Sequence, residues 1–232
     1  TDEEMNEHLA HTDQTALGSN WKAGDIMYRD INGDGKVSNG YNTLNDPGDL
    51  KVIGNSTPRY LIGLDLNASW KGFDVRAFFQ GMLKRDVWVG GAYQFGVDGG
   101  GRWFSIGLED TQDYFRNADS WSVKNGYRSE NLDAWLPRPV EYSWKNMQTQ
   151  TRYLLSAAYL RLKNLQVGYT IPRNLVEKYG LSNVRVFFSA ENLATFTSLP
   201  EHLDPETIGT SGSNNNGYPL SRTLSFGLNV SF

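Results

Sequence analysis

The chain has 232 residues, no cysteine and a formal net charge of −4. Without cysteine there is no disulfide framework, thiolate metal site or thiol nucleophile, and the mildly acidic balance lacks the basic stripe that nucleic acid requires. No apolar run reaches the roughly 20 residues of a membrane-spanning helix, and no basic segment followed by an apolar core opens the chain, so neither a helical span nor a signal peptide is expected.

The opening, TDEEMNEHLAHTDQ, reads as the middle of a loop in a longer protein. His8 and His11 lie three apart, a spacing that holds a metal on one helical turn, but no third ligand accompanies them and a solvated surface is expected. Further on, DINGDGKV supplies Asp30, Asn32, Asp34, Gly35 and Lys36 at positions 1, 3, 5, 6 and 7 of a calcium loop of the EF-hand type. Hard oxygens alternate there, the Lys36 carbonyl among them, and glycine permits the sharp turn. Position 12, where a bidentate carboxylate should close the site, is Tyr41. The insertion GYNTLNDPGD moves the closing ligand to Asp46 or Asp49. The candidate set is therefore Asp30, Asn32, Asp34, Lys36 and Asp49, holding a structural Ca2+ (or Mg2+). The competing reading is an Asx/Gly turn stabilised by its own side chains. No helix pattern flanks the loop, so it is no EF-hand.

From Arg59 to Trp70, RYLIGLDLNASW alternates: Tyr60, Ile62, Leu64, Leu66, Ala68 and Trp70 on one face, mainly polar residues on the other. After a short KG turn, FDVRAFFQG sets Phe73, Val75, Ala77 and Phe79 against Asp74, Arg76 and Gln80. This two-residue period predicts strands over 59–70 and 73–82. Residues 83–156 show no such period and are dense in aromatics, from Trp88 to Trp144, with the glycine run GVDGGGR. Such rings either pack on each other or offer an interface. Alternation returns over 157–171, where Leu160 and Leu162 share one parity and Leu165, Val167 and Tyr169 the other; a β-bulge near Lys163–Asn164 reconciles them. Strands are also predicted over 183–192 and 221–232, the latter keeping its period to the terminal Phe232. Residues 194–219 form a further loop, with His202 among acids and expected at the surface. Serines stand in no nucleophile elbow and no phosphate-cradling glycine loop precedes a helix, so no enzyme is expected.

Two architectures accept these strands. One is a soluble antiparallel sandwich with its apolar faces inward; the other is a transmembrane barrel with apolar faces toward lipid and polar faces toward a wet lumen. The strands are long against the usual length of about 5–6 residues and match the roughly 9–11 of a tilted membrane strand. Aromatics near the strand ends (Tyr60, Trp70, Phe73, Tyr169, Phe232) suit interfacial girdles. With Phe232 at the periplasmic rim, Lys71–Gly72 and 172–183 become short periplasmic turns, and 1–58, 83–156 and 194–219 become long extracellular loops. On the polar face, cross-strand pairs such as Asp65 with Arg76 are predicted to line the wall.

Five blocks in order carry a resemblance: AGDIMYRDINGDGKVSNG with KVIGNSTPRYLIGLDLNASWKGFDVRAFFQG, QTRYLLSAAYLRLKNLQVGYTIP, VRVFFSAENL, DPE at 204–206, and YPLSRTLSFGLNVSF. Together they resemble the C-terminal part of the SusC/RagA family of TonB-dependent outer-membrane transporters. The resemblance implies an all-β transmembrane antiparallel barrel of 22 strands, of which 59–232 holds the last five, with 1–58 as an extracellular loop region. It also implies the remaining strands and plug as partners, a SusD-like surface lipoprotein, the TonB complex reached through an N-terminal part, an oligosaccharide or peptide ligand, and outer-membrane lipid of a Bacteroidetes-like Gram-negative bacterium. No organic cofactor and no nucleic acid belong to that picture. The alternative function is a soluble, calcium-dependent glycan-binding β-sandwich built on DINGDGK and the aromatic loop.

Overall fold

The computed structural model describes residues 1–97, 100, 109–209 and 217–232. The chain divides into two compact units, one made of 1–54 with 88–154, the other of 55–87 with 155–232. Residues 1–54 group with 88–154, where Ile26 packs against the core of 88–154 and Asp25 pairs with Lys145.

The second unit is a five-stranded antiparallel sheet with the order β1-β2-β5-β6-β7. Its strands are β1 (Arg59–Trp70), β2 (Phe73–Lys84), β5 (Tyr159–Thr170), β6 (Asn183–Thr197) and β7 (Thr223–Ser231). Between β2 and β5 the chain carries the short elements β3 (Asp86–Trp88), α2 (Ala92–Phe95), α3 (Trp121–Lys124) and β4 (Leu154–Ser156), and α4 (Arg173–Val176) joins β5 to β6. Lys71 and Gly72 form the two-residue turn between β1 and β2, both with positive φ (47° and 90°). Positive φ at both central residues marks the turn whose twist matches that of the flanking strands.

Register converts the alternation into bands across the sheet. One band reads Leu66, Ala77, Leu165, Ala190, Leu224, and the next Ala68, Val75, Val167, Phe188, Phe226. One residue along, the opposite face reads Asn67, Arg76, Gln166, Ser189, Ser225. Pairing shifts between Leu162 and Asn164, so Lys163 is the extra residue of a bulge that restores the apolar parity. Large apolar side chains on the first face lie open: Leu64, Leu66, Leu228 and Phe226, the last 85% exposed.

In the first unit, the opening residues form a helix, α1 (Asp2–His11), where a loop was expected. Thr1 caps it: its hydroxyl accepts from Glu4 N–H while the Glu4 carboxylate bonds the Thr1 amino group, a reciprocal capping box. Asp2, Glu3 and Glu4 in the first turn and His8 and His11 in the last complement the helix dipole. The unit's apolar core is Phe95, Val97, Leu136, Met147 and Tyr153, with Ile26, Trp88 and Tyr114 against it. Tyr153 meets Phe95 and Trp135 edge-on at 5.2 and 5.5 Å. Trp88, Phe95, Trp135 and Tyr153 of the aromatic-rich stretch therefore pack on one another. Trp121 and Tyr127 differ, stacked at 5.3 Å and largely exposed. Two more aromatics of that stretch, Trp103 and Phe104, lie outside the described residues.

Candidate functional site: the polar face of the sheet and the loops around it

The polar face is organised by ion pairs. Arg76 donates to Asp65 through Nη2 (2.7 Å) and Nε (3.2 Å), a bidentate pair between β1 and β2, and Asn67 adds a bond to the same carboxylate. Farther along, Arg185 on β6 reaches across β5 to Asp74 on β2, with Nε at 2.9 Å from Oδ1 and a second bond from Nη2 to Oδ2. Gly168 stands between them in the register and leaves the space: a Cβ there would fall 2.3 Å from the guanidinium.

Two aromatics break the polar pattern, and both cover glycine on an edge strand. Phe187 of β6 lies over Gly227 of β7, and Phe78 of β2 over Gly63 of β1. A glycine in a strand loses packing that a neighbouring ring restores. The Arg185 guanidinium in turn lies 5.1 Å from the Phe187 ring.

At the far end of this face a second cluster joins the sheet to the loop after β6. Arg161 of β5 is 4% exposed. Its Nε donates to Thr195 Oγ1 (2.7 Å), Nη1 to Glu206 Oε1 (2.5 Å) and Nη2 to Asp204 Oδ2 (3.0 Å). Lys163, the bulge residue, donates to both oxygens of Glu206 at 3.2 and 3.1 Å. Asp204 also accepts from Glu206 N–H (2.8 Å) and Leu220 N–H (3.0 Å). Burial by itself would raise the Asp204 carboxyl, but these two amides and Arg161 hold it below the usual range. His202, beside this cluster, is half-buried.

In the first unit the calcium-type loop is closed by hydrogen bonds. Asp30 accepts from Gly33 N–H (2.6 Å) and Gly35 N–H (2.7 Å), which hold its carboxyl below the usual range. Asn32 Oδ1 accepts from Asp34 N–H, and Asp34 Oδ1 from Lys36 N–H. Asp49 comes back to the loop, accepting from Ile31 N–H and Ser38 N–H at 2.7 Å each. Asp46 instead bonds Gly48 N–H within the insertion, so of the two closing candidates it is Asp49 that meets the loop. The loop is tied to the residue after α1's cap, with Asp13 N–H donating to the Gly35 carbonyl and Val37 N–H to that of Asp13. Among the described residues no three acidic or imidazole groups converge closely enough to ligate a metal. His8 bonds Gln14 across 3.2 Å and His11 is exposed.

A further polar centre gives no sign in the sequence. Lys145, 1% exposed, donates from Nζ to Asp25 Oδ2 (2.7 Å) and to the carbonyls of Ser19 (3.0 Å) and Asn20 (2.9 Å), using all three protons. Arg138 and Asn146 complete the shell of Asp25 at 2.7 and 2.9 Å. Burial would raise Asp25, but Arg138, Asn146 and Lys145 outweigh it and hold the carboxyl low; burial pulls the Lys145 ammonium down.

A sheet whose one face is apolar and open across five strands, and whose other face is laced with ion pairs, has the construction of a membrane β-barrel wall. No family model matches the chain. It is 30% identical over 219 residues to TonB-dependent receptor P3 of Formosa agariphila, covering 90% of this chain and 19% of that receptor. TonB-dependent receptor P26 of the same organism is 27% identical over 229 residues, covering 95% and 21%. The solved RagAB peptide transporter aligns with a TM-score of 0.56 and 26% identity, over 78% of this chain and 18% of that one. A RagAB peptide importer in the 'closed-closed' state aligns with a TM-score of 0.57, at 24% identity over 90% and 21%. Over most of its length the chain is thus similar to part of the TonB-dependent receptors and to the RagA-type transporter of RagAB, and its sheet has the fold of barrel strands. The chain spans about a fifth of the length of the curated relatives it matches.

Proposed function

We propose that the chain builds part of the wall and outer loops of an outer-membrane importer that takes up an oligomeric nutrient with energy relayed through TonB. The carrying observation is the segregation of the sheet's faces: open apolar bands on one side, the Asp65–Arg76 and Asp74–Arg185 pairs on the other. The apolar face is read as lipid-facing and the polar face as lumenal, where the pairs meet water or a plug. The relatives are receptors and transporters, which supports transport over catalysis. Likeness to the RagAB peptide transporter favours a peptide as cargo, with an oligosaccharide the other candidate, and a SusD-like lipoprotein is the expected surface partner. The open edges of β1 and β7 suit pairing with the other strands of the same barrel. Extraction of membranes with and without detergent, followed by mass spectrometry of what co-purifies, tests this reading. Recovery only in detergent, with a plug-bearing polypeptide and a surface lipoprotein, is the expected result; recovery as a free soluble monomer would favour the calcium-dependent glycan-binding sandwich and overturn it.

A second reading concerns the 30–36 loop. The bonds of Asp49 to the Ile31 and Ser38 amides support it as the closing ligand in place of Tyr41. Asp30, Asn32, Asp34, the Lys36 carbonyl and Asp49 would hold a divalent cation, calcium rather than magnesium because all are flexible oxygen donors. Such an ion would neutralise three carboxylates and fix the loop, with no catalytic part. Calcium should raise the melting temperature of the purified full-length transporter after chelation, and Asp49→Asn should abolish that rise; an equal melting temperature with and without calcium would leave the hydrogen-bonded turn as the whole account.

A further inference from the structure

Residues 199–209 follow β6 and carry their own buried set: Leu199, Leu203, Asp204, Pro205 and Ile208, the last 2% exposed. The segment is no loose loop, since Leu203 N–H donates to the Pro200 carbonyl, and the N–H groups of Thr207 and Ile208 to that of Asp204. Two side chains of β5 tie it to the sheet, Arg161 the more fully. Arg161 stands on the polar face, in register with Gln80 and Thr195, and its guanidinium holds Asp204 and Glu206 at once. Lys163, two residues along β5, reinforces Glu206 from the same side. Tyr159 and Met82, register partners on this face beyond Arg161, are buried as well.

We propose that residues 199–209 form a strap across the polar face of the sheet, and that Arg161 is the positioning residue that keeps it closed. The charge balance supports this assignment: two cations from one strand meet two carboxylates from the strap. Removing Arg161 leaves Asp204 and Glu206 with like charge and a single ammonium between them. An arginine suits the position because its planar fork meets two carboxylates and a hydroxyl at once, which an ammonium on a flexible stem does not. In the importer proposed above, on which the functional side of this inference rests, the strap narrows the lumen at the level of Arg161, and cargo passes only beside it or after its release.

The test uses a cysteine reporter, since the chain has no cysteine of its own. Ile208→Cys is introduced into the full-length transporter, cleared of any other cysteine, and labelling by a membrane-impermeant maleimide is timed in the purified protein. Assembly is scored separately by heat-modifiable mobility, so a failure of the membrane reading is distinguishable from a failure of the strap. Slow labelling in the parent, at least tenfold faster labelling in Arg161→Gln, and an intermediate rate in Arg161→Lys are expected, all with an assembled barrel. Should Arg161→Gln disturb assembly, Glu206→Gln, which leaves Arg161 paired to Asp204, is expected to quicken labelling to a lesser degree. Equal rates in the parent and in both of these variants would overturn the proposal, as would parent labelling as fast as that of a Tyr218→Cys control, a position 85% exposed.

Discussion

The most demanding residue in the molecule is Asp25. Its carboxylate is fully buried: Oδ2 accepts from Lys22 N–H, Arg138 and Lys145, and Oδ1 from Asn146. A buried ion pair adds little net stability, but deleting one member strands the other charge. Asp25→Ala would leave the Lys145 ammonium against two carbonyls and the Trp21 ring. The expected loss is about 3–5 kcal/mol, read as a lower urea midpoint for the loops of 1–54 and 88–154, with Lys145→Met milder because a neutral side chain replaces a charge. The pH dependence has a definite sign. The folded carboxyl lies below its unfolded value, so its contribution is fully present above about pH 4. It is lost as pH falls through the lower folded value. The hydrogen-exchange protection factors of these loops, taken relative to the intrinsic exchange rate at each pH, should therefore fall only in acid.

At the scale of elements, the β1–β2 hairpin has the sharpest requirement. Gly72 has φ +90°, and a Cβ there would lie 2.9 Å from the Thr170 carbonyl and 3.2 Å from the Tyr169 ring. Gly72→Val should cost about 1–3 kcal/mol through backbone strain alone, with a further loss from displacing Tyr169, which packs on Phe73 at 4.5 Å. Lys71→Gly, at φ 47°, relieves strain and should be neutral or better. Unfolding in urea of the assembled barrel measures both. These elements were legible because their cause is local: strict alternation over Arg59–Trp70, a KG turn, and a parity slip that put a bulge near Lys163–Asn164. Helix α1 was missed although Thr1 and Glu4 spelled a capping box, because an acidic stretch with one buried apolar residue, Met5, shows no amphipathic period. The loop core and the Asp25 network were not legible at all. Asp25 and Lys145 are 120 residues apart, and no periodicity links them. The Arg161–Asp204 pair is hidden likewise, although DPE stood out as a block. Asp46 and Asp49 read alike in the sequence, and only the fold shows that Asp49 bonds the Ile31 and Ser38 amides.

For the whole molecule, the question is what solvent each face of the sheet meets, and adjacent residues of one strand answer it. Leu66 points into the apolar band with Ala77, and Asn67 into the polar band with Arg76. If the apolar bands face hydrocarbon, Leu66→Arg places a cation near the middle of the lipid face, at a cost of roughly 2–4 kcal/mol. Asn67→Arg places the same charge on the wet side. It adds a neighbour to Arg76 that Asp65 partly offsets, so its cost should be under about 1 kcal/mol. Leu224 and Ser225 repeat the comparison at the opposite edge of the sheet. The expected outcome is a large drop in assembled, heat-modifiable barrel for Leu66→Arg and Leu224→Arg, with near-normal assembly for Asn67→Arg and Ser225→Arg. A sheet whose apolar face simply met water would behave otherwise. In water Leu66, about half exposed, would accept arginine freely, and so would Leu224. A difference between neighbours in both strands would show that the two-residue period sorts side chains between lipid and lumen.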